Sequence, residues 1–496
     1  MKPVFFASRG QRRRTTTPVA FSILILFFAG QAQADEAIPF DYFAANRQMI
    51  SNGVQAVLSC NGLYTSRRSI EQVVAQELAY LDDPRRGLAA VGPYEIHPQQ
   101  RAVSVGGGDL GPRITAAFRR GIGCVVLPPN AALEAIEELP EITLAPPAGD
   151  PRRIAWPNGD AEAVSEPDAD VDRGALEAAA SWAFERDNPE QDTISLIVVH
   201  RGRIILERYA EGFDYLTRTR TWSTAKSIAA TLIGMQVDAG KMALDAPLPF
   251  AWEPDLVSPE TDARRDITLR HVLNMSSGLY PVDSFGKEYA TGSGLAYWAG
   301  ASSIEGMRDR GLVREPGTHW DYENFDTLLA VYALKQALGG ERAYHEYPRK
   351  ALLDRIGMRS TLLSTDRFGD FIMSSQVYTN ARDLARFGLL YLNDGVWEGE
   401  RLVSSAWVDF VRTPAPASAV RGNDYGAQFW LVPDARKSEV PADAYSTVGN
   451  RGQYVIIAPS HELVVVRRGL DYGRQGFDRW DLLREVLKAI PATTGP

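Results

Sequence analysis

The pattern of apolar and polar positions changes character twice along the chain. Near the start, "NRQMISNGVQAVLSCNGLY" and "SIEQVVAQELAYL" read as helical or mixed segments, and "RAVSV" and "GCVVLPP" read as short strands. From Ala145 to Asp172 the chain loses its period and is rich in Pro, Gly and acidic residues, which predicts a linker. A regular pattern follows: a helix at "RGALEAAASWAFERD", then the strands "TISLIVVH" and "RIILERYA" joined through Arg201-Gly202. Helices dominate the long middle section. Strands return only in "GQYVIIAP" and "ELVVVRRG", around the turn at Ser460-His461, and the amphipathic "FDRWDLLREVLKAI" closes the chain. Hairpins at both ends of one unit predict an antiparallel sheet completed by chain return, with a helical subdomain inserted between them. The class is α+β.

At 496 residues the chain is too long for one ordinary domain, and with 45% hydrophobic and 23% charged residues its composition is globular. Lys2, Arg9, Arg12, Arg13 and Arg14 precede the apolar run "PVAFSILILFFAG", and Ala32-Gln33-Ala34 offers small residues for cleavage. Residues 1–34 therefore read as a secretory signal peptide, since the run is short for a bilayer span. "RRRTTTP" lacks the apolar residues expected just after twin arginines, so ordinary secretion is preferred. The expected location is outside the cytoplasm, in the periplasm, with no membrane span left after cleavage. Removing the segment leaves 48 basic against 62 acidic residues, a formal charge of −14, which argues against nucleic acid or an anionic membrane as partner. The two cysteines, Cys60 and Cys124, are an even count in an oxidising compartment and suggest one disulfide, worth about 4 kcal/mol on the chain-entropy model. Two free buried cysteines are the alternative.

Several familiar motifs fail on context. Gly106-Gly107-Gly108-Asp109-Leu110-Gly111 fits the dinucleotide pattern, but Pro112 follows it and no well-placed acidic partner ends a second strand, so it reads as a turn. There is no G-x-S-x-G, H-E-x-x-H or C-x-x-C, and the six histidines are scattered, so neither a serine elbow nor a metal site is expected.

S-x-x-K occurs twice. Ser284-Phe285-Gly286-Lys287 sits in a Gly-rich loop where nothing fixes serine and lysine on one face. Ser223-Thr224-Ala225-Lys226 opens the convincing helix "AKSIAATLIGMQVDAG", with Gly240 as its C-terminal cap. Residues three apart share a helix face, so Lys226 can reach the Ser223 hydroxyl, which is a poor nucleophile without a base. A lysine near pKa 10.4 must be pushed down for that task, and burial and the helix dipole both push that way. The Ser223 backbone N–H at the helix start can also help to hold a developing oxyanion. The plainer alternative is that Ser223 or Thr224 caps the helix and Lys226 is solvated.

Three further stretches bear on that choice. Tyr322-Glu323-Asn324 follows a Pro316-Gly317 turn and precedes a helix, so Tyr322 sits on a loop where it can project into a site as acid and base. Of the other Y-x-N triplets, Tyr378-Thr379-Asn380 reads as the N-cap of "ARDLARFGLLYL", and Tyr391 lies inside that helix. "TVGNRGQYVIIAP" opens a C-terminal strand whose Gly449 and Gly452 allow close backbone approach, and an edge N–H beside the serine is what an oxyanion hole requires. "ITLRHVLNMSSGL" gives Thr268 as an N-cap and a helix that reads as packing.

In this order the stretches resemble the serine β-lactamase and penicillin-binding-protein superfamily, in the branch of class C β-lactamases, esterases and 6-aminohexanoate-dimer hydrolases. The resemblance covers about Gly174 to Ile490. It implies a β-lactamase/transpeptidase-like fold over residues 173–496; residues 148–172 are the linker read from composition, and residues 35–147, which that fold does not explain, are expected to form an accessory domain. It also implies Ser223 as acylated nucleophile, Lys226 and Tyr322 as coupled base and acid, and Asn324 as an orienting or substrate-binding amide. The oxyanion would be held by the N–H groups of Ser223 and of Asn450, next to Gly449. No cofactor or metal is implied, and the partner is a small amide or ester substrate. One position departs: where the family presents Lys-Thr-Gly or a histidine first, this chain has Thr447-Val448-Gly449. A charge-assisted contact of roughly 1.5 to 3 kcal/mol to a β-lactam carboxylate is lost, which turns the expectation towards an amidase or esterase. A β-lactamase or DD-peptidase, and a non-catalytic acyl-binding sensor, are the competing readings.

Overall fold

The strand Thr193–His200 is buried at every position, which is why its sequence reads as a continuous apolar run rather than an alternating one. Side chains alternate across it: Leu196 and Val198 enter one core, Ile197 and Val199 another. The computed structural model describes residues 43–78, 92–253, 261–283, 289–472 and 475–491. The stretch read as a signal peptide and the second S-x-x-K, Ser284 to Lys287, lie outside the described residues.

Thr193–His200 is hydrogen-bonded to Arg203–Tyr209 on one side and Leu463–Gly469 on the other. Gln453–Ala458, Tyr445–Gly449 and Trp430–Leu431 continue an antiparallel sheet of six strands. The chain thus starts the sheet, leaves it for the helical section and returns to complete it, as expected for the α+β class. Helices Arg173–Phe184 and Arg479–Leu487 cover one face through Leu176, Ala180, Trp480 and Leu483. Helix Ala381–Leu392, capped by Asn380, lies on the other. Its Gly388 permits the close approach, because a Cβ there would stand 2.4 Å from Val464 Cγ1.

The helix Thr224–Asp238 is buried on all sides from Thr224 to Gly234, so it runs through the core rather than along the surface. At its end Gly240 adopts φ 66°, the left-handed geometry expected of the cap. Thr268 caps Leu269–Leu273 in a capping box with His271.

Ahead of this, helix Ala44–Tyr64 lies on a four-stranded antiparallel sheet of Tyr94–His97, Ala102–Val105, Ile114–Arg119 and Gly123–Val126. The first and third of these strands escape the sequence reading: one is half exposed, and the apolar run of the other is broken by a threonine and two alanines. The Gly106–Gly111 run is the turn between the second and third, with Gly106, Gly107, Gly108 and Gly111 all at positive φ. Cys60 and Cys124 form a disulfide, Cα atoms 6.1 Å apart, that joins the helix to the last strand. The described residues make one compact unit, and Gly53 packs so tightly on helix Ser293–Trp298 that a Cβ would stand 1.8 Å from Trp298 O. The stretch read as a linker lies along the part that carries the six-stranded sheet. Its carbonyls are satisfied partly by local backbone N–H groups, as in Ala161 N–H to Ile154 O, and partly by side chains, as where Arg386 donates to Pro157 O at 2.6 Å and Arg382 to Asp160 O at 3.2 Å. Among the described residues no helix is long and apolar enough to cross a membrane.

Candidate active site

The chain enters the site through the short strand Thr219–Arg220, paired with Val377–Thr379. Trp222 then takes φ 51°, a left-handed conformation rare for a bulky residue. Its ring is held by the Arg220 guanidinium, 3.7 Å from the ring centre and itself stacked on Trp298 at 4.3 Å. Ser223 follows with φ −66° and ψ −8°, directly before the helix. Its side chain makes no capping bond, and the Thr224 hydroxyl bonds instead to Thr447 Oγ1 (3.2 Å) and Gln453 O (3.3 Å). Lys226 is 1% exposed. The helix-cap arrangement with a solvated lysine is therefore not what the fold adopts.

Lys226 Nζ donates to Asn324 Oδ1 at 2.6 Å and to the Ser374 carbonyl at 2.7 Å, and stands 3.4 Å from Ser223 Oγ. Asn324 opens helix Asn324–Leu338, and its own amide donates to Ser293 Oγ at 3.0 Å, which fixes the orientation of the side-chain oxygen. Ser293 in turn donates to Asp283 Oδ1 (2.9 Å), and Asp283 Oδ2 accepts the Asn324 backbone N–H (3.1 Å). The Tyr322 ring centre lies 5.1 Å from Lys226 Nζ, and Trp320, Tyr425 and Trp430 pack around it at 5.6–6.2 Å. Ser223, Lys226, Asn324 and Tyr322 thus meet in one place.

Gly449 reaches the same place from the sheet. A Cβ at this position would stand 2.1 Å from Thr221 O, so only glycine lets the strand lie against the segment leading into Ser223. Asn450 follows, and among the described residues no backbone acceptor is bonded to its N–H or to that of Ser223. Thr447 is fully buried against Thr224, a non-basic group where a cation would meet a carboxylate.

Asp283, Ser293 and Ser374 are missed by the sequence reading, because they come from irregular loops and a short six-residue helix. Glu323, between Tyr322 and Asn324, is also missed. It accepts the Asp283 N–H at 3.2 Å and lies 3.5 Å from Arg310, and burial with the nearby Asp283 carboxylate pushes its pKa well above the carboxylate range. Asp326, buried behind them and bonded to Ser277 Oγ at 2.8 Å, is pushed up to about 7 by burial, against the opposing pull of Arg310. The native state then keeps a proton that the unfolded chain, with a pKa of about 3.9, releases. The stability this contributes is fully present below about pH 4 and is lost as pH rises towards 7. Asp326→Asn, still able to accept from Ser277, is expected to flatten the fall of the denaturation midpoint over that window. An unchanged slope would reject the assignment.

Residues 183–469 match the family model described as Beta-lactamase. The chain belongs to the beta-lactamase family. The 6-aminohexanoate-dimer hydrolase of Paenarthrobacter ureafaciens is 24% identical over 304 residues, covering 57% of this chain and 74% of that protein. An uncharacterized protein of Alkalihalophilus pseudofirmus is 23% identical over 304 residues, covering 57% of this chain and 86% of the relative. Among solved structures, a D-stereospecific amidohydrolase from Streptomyces sp. aligns with TM-score 0.48 and 15% identity over 64% of this chain and 98% of the other. The chain has the β-lactamase/transpeptidase-like fold and is an enzyme of the serine-hydrolase type.

Proposed function

We propose that this hydrolase cleaves a small amide or ester through an acyl-enzyme on Ser223, acting outside the cytoplasm. The observation that carries the reading is the setting of Lys226. Nζ is held by Asn324 Oδ1 and Ser374 O beside Ser223 Oγ, and in the neutral amine its lone pair can accept the serine proton. A separation of 3.4 Å is long for a hydrogen bond, as catalytic contacts often are before substrate tightens them. Lys226 takes the hydroxyl proton as Ser223 Oγ attacks the carbonyl carbon. The oxyanion is held by the N–H groups of Ser223 and Asn450. Tyr322, coupled to Lys226, passes a proton to the leaving alcohol or amine as the C–O or C–N bond breaks. Water, activated by the same pair, attacks the acyl carbon and releases the acid and free Ser223. The disulfide supports an extracytoplasmic location.

Thr447 favours this reading over a β-lactamase or DD-peptidase, because a buried hydroxyl bonded to Thr224 offers no cation to a substrate carboxylate. The test is a panel of nitrophenyl esters, short linear amides and a chromogenic cephalosporin, run with intact-protein mass spectrometry. Multiple turnovers on esters or amides through a transient adduct on the Ser223 peptide are expected, with slow turnover of the cephalosporin. Fast cephalosporin hydrolysis would favour the β-lactamase reading, and a persistent adduct without turnover a sensor. No adduct with any activated ester would remove Ser223 as nucleophile.

A further inference from the structure

The turn after Gly449 is held from outside the hydrolase sheet. Arg451 sits in it at φ 60°, a left-handed conformation, and is followed by Gly452 at φ 76°. Glycine is required at the second position, where a Cβ would stand 1.8 Å from Arg467 Nη1. The first position carries a full side chain in a strained backbone, and such a conformation persists only where the surroundings enforce it. Here the fully buried Arg451 side chain supplies the anchor. Its Nε donates to Asp471 O (3.0 Å) and its Nη2 to Leu470 O (2.7 Å), both at the end of the neighbouring strand. Three further hydrogen bonds cross to the N-terminal region: Nη2 to Gln76 O (3.1 Å), and Nη1 to Glu77 O (2.8 Å) and Glu77 Oε2 (3.3 Å).

Gln76 and Glu77 lie in the helical turn Val73–Glu77, which is itself well fixed. Ser69 and Gln72 form a capping box just before it, and Arg68 donates to Glu77 Oε1 at 2.9 Å. Val73 packs against helix Ala44–Tyr64 at Gly62, where a Cβ would stand 2.2 Å from Val73 Cγ2. That helix is tied to its sheet by Cys60–Cys124. A continuous run of covalent, packed and charged contacts therefore ends on the residue next to Asn450.

We propose that Glu77 is a positioning residue for the oxyanion hole, acting through Arg451 to hold the Asn450 N–H in place, so that the N-terminal region completes the catalytic turn. The proposal rests on the reading of Asn450 as an oxyanion donor. Removing the carboxylate leaves Arg68 and Arg451 buried without their shared counter-charge, and the left-handed turn loses the contact that over-determines it.

The test compares the full-length protein with Glu77→Ala and Glu77→Gln, corrected for the active fraction by titration of Ser223 with an activated ester. For a nitrophenyl ester, Glu77→Ala is expected to lower kcat about tenfold with KM within about twofold, and to weaken inhibition by phenylboronic acid by a similar factor, because both depend on the oxyanion site. Glu77→Gln, which keeps one acceptor oxygen but loses the charge shared by Arg68 and Arg451, is expected to recover only part of the loss. Amide hydrogen exchange in the peptide spanning Asn450 to Gln453 is expected to quicken in Glu77→Ala while helix Thr224–Asp238 is unchanged. Unchanged kcat and boronate affinity in the folded fraction would overturn the proposal, as would unchanged exchange at the turn. If the unaltered protein turned over no ester or amide, the failure would belong to the functional reading, and the exchange comparison would still decide whether Glu77 holds the turn.

Discussion

Ser223→Ala is expected to lower kcat for a nitrophenyl ester by about 10⁴-fold or more, with KM little changed and no covalent adduct detectable by mass. The size follows from the absence of a substitute. The hydroxyls nearest in the chain are committed elsewhere: Thr224 to Thr447 and Gln453 O, and Ser227 to Gln428 O at 2.6 Å. Ser293 donates to Asp283 and accepts from Asn324. Stability should barely move, since among the described residues the Ser223 hydroxyl has one hydrogen-bond partner, Lys226 Nζ at 3.4 Å. What survives is the rate supplied by the oxyanion site and by binding alone. A variant that kept more than about 1% of the ester activity, or that still formed an adduct on the same peptide, would show that the nucleophile lies elsewhere.

The parts of this site that the sequence makes legible are those governed by a period. Ser223 and Lys226 are three apart at the start of a helix, so their meeting follows from helix geometry alone. The apolar runs Thr193–His200 and Leu463–Gly469 signal strands covered on both faces, and the pairing of the two was the expected chain return. Asn324 was legible as the last residue of a tripeptide before a helix, but its bond to Lys226 spans 98 positions and has no local signature. The same holds for the Ser374 carbonyl, for Asp283 in a loop with no repeating pattern, and for Glu77, 374 residues from Arg451. Trp222 is a different kind of gap. Its left-handed backbone is imposed by tertiary contacts that include Arg220, against the preference of a bulky side chain, and no propensity scale points to it. The irregular stretch before Asp172 was read from its composition, which says that it forms no ladder; that Arg382 and Arg386 satisfy its carbonyls could come only from the fold.

Lys226→Arg separates proton transfer from charge. An arginine keeps a cation beside Ser223 and can still donate to acceptors such as Asn324 Oδ1 and Ser374 O, but with a pKa above about 12 it cannot accept the serine proton. On the proposed mechanism it should lose about 10³-fold in kcat, at the strong end of what general-base catalysis contributes. Lys226→Met is expected to lose activity to a similar degree and also to be destabilised. It removes the donor for two acceptors buried with the lysine, and each unsatisfied acceptor costs about 1–3 kcal/mol. The denaturation midpoint would therefore separate the two variants while their residual activities coincide. A purely electrostatic role for Lys226 predicts instead that the activities differ, with the arginine variant near full activity and the methionine variant inactive. Steady-state kcat on one ester, normalised to the folded fraction of each variant, distinguishes these outcomes, and near-wild-type turnover by Lys226→Arg would remove the lysine as base while leaving Ser223 in place as nucleophile.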